Sequence, residues 1–123
     1  MKYTVNEYYL HLHADYSKAK MAAFKRSLIC IEAVKQTYGV TWAQLKSPDR
    51  TAKVSAARHA AIWLIKKETT LGWVEIAEIF KRRRHLAQYA FKMFENAIDH
   101  RIIDERENVL FAFAELTGES IPI

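Results

Sequence analysis

The sequence predicts an all-α fold, a helix-turn-helix bundle of about five to seven helices. Three observations carry that expectation. Only three glycines and two prolines occur in 123 residues, too few turn residues for a sheet of short strands. Long runs rich in Ala, Leu, Ile, Lys and Glu favour helices through intrinsic propensity. Apolar residues recur at three- and four-residue intervals in successive segments, the period of a helix with one buried face. Half of the residues are hydrophobic and 12% aromatic, enough to build a core and to argue against global disorder. One domain spanning residues 1–123 is expected, because two separate cores would each be undersized.

Residues 1–16 contain four tyrosines, Tyr3, Tyr8, Tyr9 and Tyr16, with a helix expected across Val5–Ala14. Such density implies packing onto a neighbouring element, within the chain or across a dimer. His11, His13 and Asp15 invite a metal reading, but on a helix only His11 and Asp15 share a face. A ligand set is missing, so these residues are read as surface or packing and no metal or other cofactor is expected.

Ser17 caps a helix placed at about 18–38, where Phe24, Leu28, Ile31, Val34 and Tyr38 form the apolar stripe. Gly39 follows at the expected C-cap position, because glycine enters the left-handed region without penalty. Thr41 and Gln44 have capping-box spacing and start a short helix through Trp42–Leu45, which Ser47-Pro48-Asp49 ends. From about Lys53 to Glu68, Val54, Ala57, Ala61, Leu64 and Ile65 share a face, and Trp63 is read as packed. Thr69 to Gly72 leads into a short helix with Trp73, Ile76, Ala77 and Phe80 on one side. A second helix carries the stripe Leu86, Tyr89, Ala90, Met93 and Ala97. After a break at Asp99-His100, Ile102, Ile103, Val109, Leu110, Phe113 and Leu116 support a last helix at roughly 103–117, ended by Gly118. The tail Glu119–Ile123 is expected to fray. Cys30, the single cysteine, reads as a small buried hydrophobe, and one cysteine excludes an internal disulfide.

Charge is concentrated. The net charge is +5, and Lys81-Arg82-Arg83-Arg84 places four cations together at the junction between the two short helices. Cations repel the dipole at a helix N-terminus, while the free N–H groups there favour an anion. Beyond the knot, Arg84, His85, Gln88 and Lys92 face outward, side chains able to bond base edges or phosphates. Two short helices with a basic second N-terminus match the geometry by which a helix-turn-helix enters the major groove. Double-stranded DNA is therefore the expected partner. No apolar run of membrane-spanning length and no signal peptide is present, so no membrane association and a cytoplasmic location are expected.

Residues 27–99 resemble the C-terminal DNA-binding domain of the bacterial replication initiator DnaA, over about 60% of the chain. Tyr38-Gly-Val-Thr-Trp-Ala-Gln-Leu45 is similar to that family's "Phe-Gly-Val-Ser-x-x-Asp-Leu", and Arg58-His-Ala-Ala-Ile-Trp-Leu64 to its "Arg-Gln-x-Ala-Met-Tyr-Leu". Thr69–Phe80 resembles "Thr-x-x-Ser-Leu-Pro-Glu-Ile-Gly-x-x-Phe". The resemblance implies a Trp-repressor-like fold, with residues 1–26 as an N-terminal extension and 100–123 as a C-terminal helix and tail. The signature "Gly-Gly-Arg-Asp-His-Thr-Thr-Val" falls on Lys81–Gln88, where Arg83 and His85 match. Lys81 and Arg82 replace the glycines, Arg84 the aspartate, and Leu86 and Ala87 the threonines. Ala56-Ala57 stand where the family has "Arg-Pro", leaving Arg58 as the match and Lys53 as a substitute for its minor-groove arginine.

Two physical consequences follow. Exchanging an acceptor and two hydroxyls for Arg, Leu and Ala raises phosphate attraction and alters base readout. Lysine and arginine in place of turn glycines either confine the turn to negative φ or strain it. The expected DNA contacts are Lys53, Arg58, Lys81, Arg82, Arg83, Arg84, His85, Gln88 and Lys92. The chain reads as a stand-alone relative serving replication or transcription, such as a phage or accessory regulator. The alternative is a protein-interaction module that kept the fold, with a homodimer or a replication protein as partner. An enzyme is not expected, since no catalytic triad, paired-carboxylate signature or cysteine-histidine metal spacing occurs.

Overall fold

The structure, a computed structural model, describes residues 18–119. Six helices follow one another: α1 (Lys18–Tyr38), α2 (Trp42–Lys46), α3 (Ala52–Glu68), α4 (Trp73–Ile79), α5 (Arg84–Glu95) and α6 (His100–Thr117). Among the described residues there is no strand. The expected helix at Val5–Ala14, the tyrosine cluster, His11, His13, Asp15 and the Ser17 cap lie outside them.

α3 is the axis of the bundle. Val54, Ala57, Ala60, Ala61, Ile62, Leu64 and Ile65 are all buried, so the helix is enclosed on nearly every side by the other five. Its alanines let neighbours approach closely, and full burial of each larger aliphatic contributes about 1.5–3 kcal/mol. Trp63 is buried, with its ring centroid 5.2 Å from that of Phe94 on α5. Its indole N–H donates to Glu95. α1 packs on α3 and α6 through Ala23, Phe24, Cys30, Ile31 and Val34. Leu28, expected in that stripe, is partly exposed.

The helix boundaries have local causes. Gly39 closes α1 at φ 65°, its N–H bonded to Lys35 O at 2.8 Å. At α2 the capping box forms: Gln44 N donates to Thr41 Oγ1 at 3.1 Å and Thr41 N to Gln44 Oε1 at 2.8 Å. Glu75 Oε1 accepts from Gly72 N at 2.8 Å at the start of α4. α6 begins three residues before its expected start, because Asp99 caps it by accepting from Arg101 N at 2.8 Å. Gly118 ends α6 at φ 71°. Glu119, expected in a fraying tail, is held by Arg26, which also bonds Glu68.

Two aromatic contacts fix the site helices. Trp42 packs edge-on against Phe80 at 5.8 Å, and Trp73 against Phe91 at 5.4 Å. The first ties α2 to the end of α4. The second ties α4 to α5.

Candidate nucleic-acid interface

The turn between α4 and α5 is a Schellman motif. Arg82 N donates to Ala77 O at 2.8 Å and Lys81 N to Glu78 O at 3.1 Å, the paired bonds that satisfy the last carbonyls of a helix. The motif requires a left-handed residue between the cap and the following position, and Lys81 supplies it at φ 55°. No other described non-glycine residue has positive φ. Of the two outcomes expected for the lost glycines, strain is therefore the one adopted, at a cost of about 1–2 kcal/mol for a side chain in this region.

Arg83 follows as the N-cap of α5 and makes no side-chain cap. The first turn of α5 contains no acidic residue. Lys81, Arg83, Arg84, His85 and Lys92 are exposed, Gln88 is half-buried, and no described carboxylate pairs with the cations among them. The buried side of α5 is Ala87, Ala90 and Phe94. This corrects the expected stripe: Leu86, Tyr89 and Met93 are not core residues but are 44%, 56% and 49% exposed. Phe91 and Phe94 fill the space against α4 and α3 instead, which turns the helix so that the other three face solvent.

Two other expected contacts lie away from the basic knot. Arg58 was expected at phosphates or the minor groove, yet it is only 7% exposed. Its Nε donates to Leu45 O at 2.8 Å and its Nη2 to Ser47 O at 2.9 Å, with Gln44 O and Asp49 O each at 3.2 Å. The guanidinium thus satisfies the carbonyls that close α2 and lead into α3. Burial and the neighbouring Arg82 charge lower its pKa. Lys53 is exposed but stands apart, in a hollow with Tyr38, Arg101 and Glu105 on the side of Gly39. Arg82 is intermediate: Nη2 donates to Ser47 O at 2.6 Å and Nη1 to Phe80 O at 3.0 Å, so it braces the turn against the α2–α3 loop.

Between α3 and α5 lies an open groove of about 570 Å³, lined by Arg50, Arg58, His59, Arg82, Leu86 and Tyr89 among others and by no acidic residue. The rings of His59 and Tyr89 meet edge-on at 6.3 Å. Burial, and then the adjacent Arg58, push the His59 pKa down. Arg50 was not among the expected contacts; its signal in the sequence is only a cation beside the Pro48 loop. Among the described residues, no group of three or more His, Cys, Asp or Glu side chains could hold a metal. No described helix is long and apolar enough to cross a membrane.

A short helix, a four-residue turn and a second helix with an exposed basic N-terminus define a helix-turn-helix domain. Residues 29–89 match the family model of the bacterial DnaA protein helix-turn-helix. This segment, from the middle of α1 to Tyr89 on α5, belongs to that family, and membership implies DNA binding. Neither curated proteins nor solved structures yielded a match.

Proposed function

We infer that this chain is a non-enzymatic double-stranded DNA-binding protein, with α5 in the major groove and all of residues 1–123 in one domain around the helix-turn-helix. The observation that carries the reading is the exposed, acid-free N-terminus of α5, where Lys81, Arg83, Arg84 and His85 meet solvent. Uncapped N–H groups and unpaired cations at the same point favour a phosphate oxygen. Arg84, His85 and Gln88 lie along the first two turns, the part of a recognition helix that reaches bases. Lys81, Arg83 and Lys92 are placed for phosphates, and the groove residues Arg50 and Arg82 extend the positive surface onto the α2–α3 side. An accessory or phage regulator of replication or transcription is the role that fits this reading.

Salt dependence tests this reading quantitatively. Six phosphate contacts, the number expected when Arg58, Lys53 and Arg82 are counted as well, imply a slope of log K against log salt near −5. The three exposed cations placed for phosphates, Lys81, Arg83 and Lys92, imply about −2.7, at about −0.9 per contact. Gel-shift titrations on a random duplex should give the shallower slope. Absence of binding at about 50 mM salt would remove the DNA reading.

A further inference from the structure

We propose that Leu86 and Tyr89 form an apolar ridge that reads thymine methyl groups, which makes α5 prefer A·T-containing duplexes. The inference rests on the DNA reading above and adds the chemistry of recognition to it. Tyr89 is 56% exposed on the solvent side of α5, and Leu86, 44% exposed, lies on the flank that borders the α3–α5 groove. They are three residues apart, so their side chains are neighbours along one line. Leu86 is in the first turn of α5, directly after Arg84 and His85. Tyr89 is held in place by its edge-on contact with His59.

What this ridge fits is decided by its rim. His85, Gln88 and Lys92 run along one flank, and Arg82 and Arg50 line the groove on the other. A second copy docked ridge to ridge would bring these cations against their counterparts. A duplex major groove has the complementary layout: phosphates at both edges and, at every thymine, one exposed apolar methyl on the floor. The axial distance from Leu86 to Tyr89 is about 4.5 Å, comparable with a single base step of about 3.4 Å. The ridge therefore reaches one or two thymines. Met93 continues the line but opens onto a hollow shared with Glu105, where a carboxylate would meet the DNA backbone. It is left outside the contact.

The test compares two 30-base-pair duplexes of alternating sequence, one of adenine and thymine and one of adenine and uracil. They share pairing, charge and hydrogen-bonding groups and differ in the C5 methyl alone. Fluorescence anisotropy should show the thymine duplex bound about fourfold more tightly per methyl contacted. Leu86→Ala should reduce that preference about fourfold, and Leu86→Ala with Tyr89→Ala should bring it to near unity while each variant still binds a guanine–cytosine duplex. Met93→Ala should leave the preference intact. All three side chains are exposed, and circular dichroism melts check that each variant folds. Equal affinity for the two duplexes, with DNA still bound, overturns the methyl reading alone. So does a preference that survives the loss of both Leu86 and Tyr89, or a double variant whose only change is dissociation of a dimer. If no duplex binds at low salt, the DNA reading falls as well.

Discussion

Arg58 and Arg82 differ from Arg83 and Arg84 in what surrounds them, although all four belong to one basic neighbourhood. The first pair is turned inward, onto Leu45 O, Ser47 O and Phe80 O. These carbonyls close α2 and α4, and the last carbonyls of a helix have no partner within it. Arg106 follows the same rule at the end of α5, donating to Phe94 O at 2.8 Å and Glu95 O at 2.6 Å. Arg83 and Arg84 sit at the opposite pole of α5, where the unpaired backbone groups are N–H donors. Nothing there can accept a guanidinium proton, so both stay in water. In this neighbourhood helix polarity thus sorts the arginines: Arg58 and Arg82, set against C-terminal carbonyls, become structural, and Arg83 and Arg84, at the α5 N-terminus, stay free for an anion.

The strongest way to break that division is to remove one member of each set. Arg58→Met keeps much of the apolar stem and deletes the donors, leaving several carbonyls of the α2–α3 connection without a partner. An unsatisfied buried acceptor costs about 1–3 kcal/mol, so a total loss of about 3 kcal/mol is expected in urea denaturation. Replacing Arg83 and Arg84 by alanine should change stability by less than about 0.5 kcal/mol, as for other exposed positions. The same double variant should flatten the salt slope of DNA binding by about 0.9, from the Arg83 phosphate contact. If instead Arg58→Met stays stable and loses DNA affinity, the assignments are reversed.

Much of the scaffold was legible because its signals are local. The Gly39 and Gly118 stops and the Thr41–Gln44 capping box depend on residues within a few positions of each other. The roles of Arg58 and of Leu86 depend on distant partners and were not legible. Arg58 looks like any surface cation until α2 is folded against α3. The stripe Leu86, Tyr89 and Met93 has the same helical spacing as Ala87, Ala90 and Phe94, and periodicity cannot say which is buried. Packing decided it, because Phe91 and Phe94 meet Trp73 and Trp63.

The turn offers a smaller test of the same contrast. Lys81 holds a left-handed conformation that a glycine would adopt without strain, and its exposed charge lies beside the α5 N-terminus. Lys81→Gly removes about 1–2 kcal/mol of strain and adds about 0.5–1 kcal/mol of unfolded-state entropy. A net gain of about 0.5–1 kcal/mol is expected in thermal or chemical denaturation. DNA affinity should fall at the same time, with the salt slope reduced by about 0.9. A variant that gains stability without losing affinity would show that Lys81 is a turn residue only.

The smallest effect should come from His59, which stands between the inward and outward sets on the groove wall. It faces Tyr89 from α5 and Glu105 from α6, with Arg50, Arg58 and Arg82 lining the same groove. Burial first, and the Arg58 charge second, lower its pKa below the ordinary value of 6.5. The folded state therefore binds fewer protons here than the unfolded chain between the depressed pKa and 6.5, and stability falls as pH drops through that window. The lowered carboxylates Asp49, Glu95, Asp99 and Glu119 act at more acidic pH, starting from ordinary values of 3.8 and 4.5. For Glu95, burial alone would raise the value, but hydrogen bonds from Trp63 and Lys67 outweigh it. Urea midpoints measured from pH 7.5 to pH 5.5 should decline in the parent protein and decline less in His59→Gln. An equal decline in both would mean that His59 is free to take up its proton in the folded state, and the groove wall would then be more open than its packing indicates.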